Sequence, residues 1–390
     1  MFIGIILSGL ITLVFVAEPE PFSVPTLDQI PSITTKSTLV MEFNEAKSFF
    51  EEPVQNSIPG ATLSAIVSWS PNGKYVIANM KFIEKNDIRT QAYVLDFDNH
   101  SYVAVPNAKW IDSVSWAENK MTFVSNSKYA VFDVLSRKYE SFGKSFGDSF
   151  PLISPDGTKI VYAEGGLYYY SIQSGKSFRL TSDQSDVPAL WMSDSGELLY
   201  VRTIRDLKTK EAISSLIDLD LKPHKERQVA ILEKPFKNAK WLSNGETALL
   251  TLGFDDGIFD YIYYIKTGQK KFISEASLGS ALVDEFSNKI AIVSGKQVSI
   301  KDETLANIAD ATLPGNESVT MARLLIDGKI LLVRNVSISS YKISLFNPAN
   351  GEEQKIGETW LPYVVLSPNQ RSLISVAEGN TGVKFFEIAR

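Results

Sequence analysis

Eight times along the chain an apolar, strand-forming run meets a short turn of the type Ser-Pro-Asn/Asp-Gly, and a second apolar run follows at once. The clearest copies are Trp69-Ser-Pro-Asn-Gly73, Ile153-Ser-Pro-Asp-Gly157, Met192-Ser-Asp-Ser-Gly196 and Leu366-Ser-Pro-Asn-Gln370, with Leu242-Ser-Asn-Gly245 one residue shorter. Degenerate copies are Trp116-Ala-Glu-Asn-Lys120, Phe286-Ser-Asn-Lys289 and Leu325-Ile-Asp-Gly328. Each residue type in the turn has a mechanical reason. Pro71, Pro155 and Pro368 set φ at the first corner, and Asp156 or its Asn counterpart bonds the backbone just ahead of it. Gly73, Gly157, Gly196, Gly245 and Gly328 are expected to take the positive φ that closes the hairpin.

Measured between the second positions of successive copies, the spacings are 47, 37, 39, 50, 44, 39 and 41 residues. The run after each turn is short and continuously apolar, as in Tyr75-Val-Ile-Ala, Lys159-Ile-Val-Tyr-Ala and Ile330-Leu-Leu-Val, which suits a strand buried between two neighbouring sheets. An aromatic third strand follows, as in Leu167-Tyr-Tyr-Tyr170 and Tyr261-Ile-Tyr-Tyr264, and then a fourth such as Gln228-Val-Ala-Ile-Leu232. A period near forty with four strands per unit indicates an all-β propeller of four-stranded antiparallel blades. Eight blades are expected, with seven as the alternative if one degenerate unit is an insertion. The last unit stops at Arg390 after three strands, so Thr38-Leu-Val-Met-Glu-Phe43 is expected to supply the fourth and close the ring, leaving only short sheet edges.

From roughly residue 62 to residue 390 the repeat resembles the TolB-type propellers, whose blades carry a Ser-Pro-Asp-Gly turn between their first two strands. That resemblance implies a fold, because the motif is a hairpin turn rather than a site. The residues ahead of the propeller are too few for the α/β domain that precedes it in TolB, so a role in the Tol-Pal envelope system is not implied. Related propellers precede the hydrolase domain of prolyl oligopeptidases. Here the chain ends inside its last blade, and no such hydrolase is expected.

With 45 acidic against 39 basic residues the net charge is −6, and no Lys/Arg-rich tract stands out, which argues against a nucleic-acid partner. The complete lack of cysteine excludes disulfides, thiolate metal sites and a Cys nucleophile. Residues 1–17 carry no charged side chain and read as a membrane anchor or signal segment. No basic residue precedes the run, and Phe15 would occupy the −3 position of a cut after Ala17, so an uncleaved anchor is favoured over a signal peptide. Residues 18–36, with Pro19, Pro21, Pro25 and Pro31, form a Pro-rich stalk. Residues 37–390 are the propeller with its closing strand. Asn44 to Asn56, containing Phe49-Phe50-Glu51-Glu52, is expected as a short helix covering a propeller face.

No catalytic residue is assigned. The two histidines, His100 and His224, read as solvated loop residues and are too few for a His-rich zinc site. Carboxylates cluster in Asp96-Phe-Asp98-Asn99, Asp218-Leu-Asp220 and Asp255-Asp256-Gly-Ile-Phe-Asp260, where turn capping is favoured over a calcium site because none follows the spacing of a calcium-binding loop. No cofactor is assigned, and a divalent metal such as calcium is the alternative. The tyrosine runs 168–170 and 261–264 read as packing between blades rather than as a ligand platform. Asn99, Asn316 and Asn335 head Asn-x-Ser sequons. The expected function is a non-enzymatic, membrane-tethered, extracytoplasmic scaffold for a protein or peptide partner. Its contact candidates are the long connections 82–90, 203–211 and 253–260. The competing class is a glycan- or peptide-acting enzyme or small-ligand binder with carboxylates at the central channel.

Overall fold

The computed structural model describes residues 61–84, 87–96, 99, 101–145, 149–205, 212–242, 246–254, 257–276, 281–286, 289–338, 340–359, 364–370, 372–376 and 383–387. Segments 1–17 and 18–36, the closing strand 38–43 and the segment 44–56 lie outside the described residues.

Every described element is a β-strand, and the strands form eight antiparallel sheets in chain order, seven of four strands and one of three. Blade 1 comprises β1 (Ala61–Trp69), β2 (Tyr75–Glu84), β3 (Asp87–Asp96) and β4 (Ser101–Ala104), and blade 2 comprises β5 (Val114–Ala117), β6 (Lys120–Ser125), β7 (Lys128–Asp133) and β8 (Lys138–Lys144). Blade 3 comprises β9 (Leu152–Ile153), β10 (Lys159–Ala163), β11 (Leu167–Ser171) and β12 (Lys176–Arg179), and blade 4 comprises β13 (Val187–Trp191), β14 (Glu197–Arg205), β15 (Ala212–Asp220) and β16 (Lys225–Leu232). Blade 5 runs through β17 (Phe236–Trp241), β18 (Thr247–Phe254), β19 (Gly257–Tyr264) and β20 (Gln269–Ala276). Blade 6 runs through β21 (Ala281–Phe286), β22 (Lys289–Ser294), β23 (Gln297–Asp302) and β24 (Asn307–Thr312). Blade 7 has β25 (Val319–Leu324), β26 (Ile330–Ser337), β27 (Ser340–Asn347) and β28 (Glu352–Thr359), and blade 8 has β29 (Val364–Leu366), β30 (Ser372–Val376) and β31 (Val383–Glu387).

The continuous apolar runs are explained by burial on both faces of a blade. Along β2, Val76, Ala78, Met80 and Phe82 pack with Trp69 and with Ile374 of blade 8, whereas Tyr75 and Ile77 pack with Phe123 and Phe132 of blade 2. Alternation along a strand therefore serves two neighbours instead of one core and solvent. The same pattern joins blade 7 to blade 8 through Leu331, Val333, Val364 and Leu373. Blade 8 thus meets blade 1 directly, and the ring closes on packing among the described strands.

Blade height varies. The second and third strands have 10 residues each in blade 1, nine in blade 4 and eight in blades 5 and 7, but six in blades 2 and 6 and five in blade 3. Long blades therefore rise above short ones on the side carrying the β2–β3-type hairpins. On the opposite side lie the turns of the repeat.

Candidate binding site on the turn side of the ring

In blade 1, Ser70 N donates to Tyr75 O (2.8 Å) and Gly73 N to Ser70 O (2.9 Å), while Ser70 Oγ donates to Asn72 Oδ1 (2.7 Å), which also receives Lys74 N. Blade 3 repeats this with Asp156, whose carboxylate takes Ser154 Oγ at 2.5 Å and both the N–H and hydroxyl of Thr158. Desolvation alone would raise the Asp156 pKa, but the hydrogen bonds from Ser154 and Thr158 outweigh it and hold the carboxyl below its ordinary range. Pro71, Pro155 and Pro368 occupy the first corners, and Gly73 (φ 71°), Gly157 (φ 65°) and Gly328 (φ 79°) take the left-handed place. Gly196 departs from the expectation. In blade 4 the hairpin closes one residue earlier, with Met192 N on Glu197 O and Ser195 N on Met192 O, so Ser195 (φ 58°) takes the left-handed place and Gly196 lies outside it. Gln370 (φ 54°) does so in blade 8, and Gly245 lies outside the described residues.

These turns also join the blades, which the sequence motif by itself did not reveal. Asn72 Nδ2 donates to Asn119 Oδ1 (3.1 Å), Lys120 Nζ to Gly157 O (3.2 Å), Asp156 N to Ser195 Oγ (3.1 Å) and Ile326 N to Gln370 Oε1 (2.6 Å). Each bond crosses from one blade to the next.

Inside the ring of turns, the last residues of the first strands carry indoles. Trp69 Nε1 donates to Val365 O (3.2 Å), Trp191 Nε1 to Leu152 O (2.9 Å) and Trp241 Nε1 to Trp191 O (2.6 Å), each reaching the preceding blade. Trp116, paired with Met121 just before its own turn, is the exception: its Nε1 is buried and meets no acceptor among the described residues. Here a pocket of about 600 Å³ opens over blades 1 to 4, lined by Pro71, Asn72, Ser115, Trp116, Ala117, Glu118, Leu152, Ile153, Pro155, Leu190 and Trp191. Its walls are prolines, aliphatics and two indoles. Glu118, at the tip of its turn with φ 49°, is the one ionisable lining residue. Ser115 Oγ accepts from Ile153 N (3.1 Å), which leaves its O–H free to donate. Asn72 is already engaged on both sides. The sequence marks Pro71 and Pro155 as turn residues; that they wall a pocket with Trp116, Leu190 and Trp191 is not legible there, since it requires four units to be placed side by side.

The other candidate residues are scattered. His224 is exposed in the turn after β15, and His100, Asp98, Asp255 and Asp256 lie outside the described residues. Asp96 accepts Asn99 N (3.0 Å) and Nδ2 (2.8 Å), Asp218 accepts Arg227 Nη2 (2.8 Å), Asp220 accepts Lys222 N (3.0 Å) and Asp260 accepts Thr251 Oγ1 (2.8 Å). Among the described residues no group of three His, Cys, Asp or Glu side chains is arranged to hold a metal. The tyrosines pack between blades: Tyr170 stacks on Phe142 at 4.3 Å and donates to Glu140 (2.6 Å), Tyr264 donates to Glu303 O (2.7 Å), and burial pushes the Tyr263 hydroxyl up to about 12. One further string needs placing. Gly143-Lys-Ser-Phe-Gly147 has the Gly-x-Ser-x-Gly spacing of a nucleophile elbow, but Ser145 follows the outermost strand β8 and its N–H donates to Ser127 O (3.0 Å). An elbow needs a strand-to-helix turn at the head of a sheet. This one leaves an outer edge.

No family model matches the chain, and no curated protein matches it. Among solved structures it is similar to Porphyromonas gingivalis dipeptidyl peptidase 4, with 13% identity and TM-score 0.56 over 87% of this chain, and it spans only 58% of that one. It is similar to a structure of the eukaryotic initiation factor, with 15% identity and TM-score 0.56 over 85% of this chain and 86% of that one. Against TolB from Acinetobacter baumannii the identity is 16% and the TM-score 0.35, over 71% and 78% of the two chains, too low to carry weight. At such identities the likeness shows a β-propeller fold and nothing about activity.

Proposed function

We propose that this chain is a TolB-type propeller acting as a non-catalytic binding module, held outside the cytoplasm by residues 1–17 and taking a protein or peptide partner at the turn-side pocket. One observation carries the reading: a concave, apolar, indole- and proline-walled pocket whose lining contains a single ionisable side chain, Glu118. Its volume of about 600 Å³ suits a ligand site of ordinary size. Glycoside hydrolysis by the common mechanisms uses a second carboxyl group facing the first. No such partner lines this pocket among the described residues. Apolar walls with the Ser115 hydroxyl on one side and a carboxylate at the lip favour an extended peptide that buries an aliphatic or prolyl side chain. Support for the TolB-type assignment is the Ser-hydroxyl-to-Asn/Asp turn, built alike around Asn72, Asp156 and Asn369.

The test is a phage-displayed random peptide selection against the full chain in detergent. Selected peptides are expected to lose at least about tenfold in affinity on Leu190→Arg and on the exposed lip variant Glu118→Lys, with unfolding midpoints of both variants near wild type. Equal binding to the wild type and both variants would overturn the pocket as the site. Membrane tethering is read separately: the full chain is expected to float with lipid vesicles and the chain without residues 1–17 to stay behind.

A further inference from the structure

The hairpin side of the ring has a notch. Blades 2 and 3 are short, and they lie between the tall blades 1 and 4. On blade 4, Leu198, Tyr200, Ile217 and Leu219 face blade 3, so strand alternation puts Ile204, Ile213 and Ile231 on that same face, higher up; the pairings Ile204↔Ile213 and Ser215↔Ile231 agree. Blade 3 ends its second strand at Ala163 and covers none of them: they are 59%, 50% and 57% exposed. On blade 1, Ala92 and Val94 face blade 2, which places Ile88, 66% exposed, on the wall opposite. An aliphatic wall on blade 4 therefore faces Ile88 of blade 1 across two short blades.

The floor carries three lysines, with the carboxylates of Asp112 and Glu164 beside them. Lys128 lies directly opposite Lys144 in the β7–β8 register, a like-charge pairing that destabilises a sheet unless something neutralises it. The loop bearing Lys109 rests on the same hairpin, because Asn107 O accepts both Ser125 Oγ (2.6 Å) and Asn126 Nδ2 (2.9 Å). All three lysines are exposed, and among the described residues none has an ion-pair partner. Glu164, beside Gly143, pairs with none of them.

We propose that this notch is filled by residues 44–56 of the same chain. The reading is independent of the turn-side pocket. Three observations select this occupant. β1 begins at Ala61, paired with Phe82 near the hairpin end of β2, so the preceding chain arrives on the notch side against blade 1, one of its walls. Residues 57–60 span at most about 14 Å, which reaches a neighbouring blade and little further. The segment also complements the notch in chemistry: Glu45, Glu51 and Glu52 against the lysines, with Lys47 its one cation, and Phe49-Phe50 against the isoleucines. Occupied in this way, the notch separates the two sides of the ring by task. One side holds its own chain, and the other is open to a partner.

Zero-length carbodiimide cross-linking of the full chain, read by mass spectrometry on a mixture of isotope-labelled and unlabelled protein, tests it. Amide links are expected from Glu45, Glu51 or Glu52 to Lys109, Lys128 or Lys144 within one chain. Their yield is expected to fall about tenfold in Phe49→Ala/Phe50→Ala, as loss of aromatic burial predicts. In Lys128→Glu/Lys144→Glu the links are expected to be confined to Lys109 and to fall about tenfold, and adding Glu51→Lys/Glu52→Lys is expected to restore links with the charges exchanged. Links only to turn-side lysines such as Lys74 or Lys159, links only between labelled and unlabelled chains, or no link at all would each overturn the assignment.

Discussion

Trp116 and Trp191 both lie at the turn end of the first strand of their blades and both line the pocket, yet one hydrogen bond separates them. Trp191→Phe removes the bond to Leu152 O and strands a carbonyl, which is expected to destabilise the chain by about 1 kcal/mol. Trp116→Phe removes a buried N–H with no acceptor, so the free energy of urea unfolding is expected to stay level or rise by up to about 1 kcal/mol. Asp156 makes a second prediction through pH. Its folded pKa lies below that of the unfolded chain, so its contribution is fully present above the unfolded value of about 3.9 and is lost as pH falls through the folded value. Unfolding free energies measured from neutral pH down into that acid range are expected to fall more steeply for wild type than for Asp156→Asn, which keeps an acceptor where blade 1 already uses Asn72.

Elements separate what the sequence discloses from what it cannot. The turn chemistry was legible because it is local: Pro, Asx and Gly act on their own backbone, and Gly157 stands at φ 65° as that chemistry requires. Gly196 shows the limit. The motif aligns by residue type, whereas the hairpin closes by strand register, and in blade 4 the register puts Ser195 in the left-handed place. Gly157→Ala is accordingly expected to cost roughly 1–2 kcal/mol, because an L side chain is disfavoured at that φ. Gly196→Ala, free of a positive φ and with the Asp194 side chain as its nearest neighbour, is expected to cost less than about 1 kcal/mol in the same denaturation experiment. Links such as Asn72 to Asn119 or Trp241 to Trp191 join residues 47 and 50 positions apart, and no local signal carries them.

At the level of the whole molecule the period of the repeat disclosed the ring, while the pocket and the notch come from differences among blades that the repeat averages away. Blade 8 packs on blade 1 through Trp69, Met80 and Ile374, and residues 38–43 are expected to add a fourth strand to blade 8. Deleting residues 1–36 is therefore expected to leave the thermal midpoint of the propeller unchanged, and deleting 1–44 to lower it. Identical midpoints would show that 38–43 is not that strand. The ring is proposed to bind a peptide through the indole-walled pocket on its turn side. A crystal structure of the full chain with a phage-selected peptide tests it most directly. An apolar side chain of the peptide is expected among Trp116, Leu190, Trp191 and Pro155; a peptide bound on the hairpin side, with that pocket unchanged, would overturn the assignment.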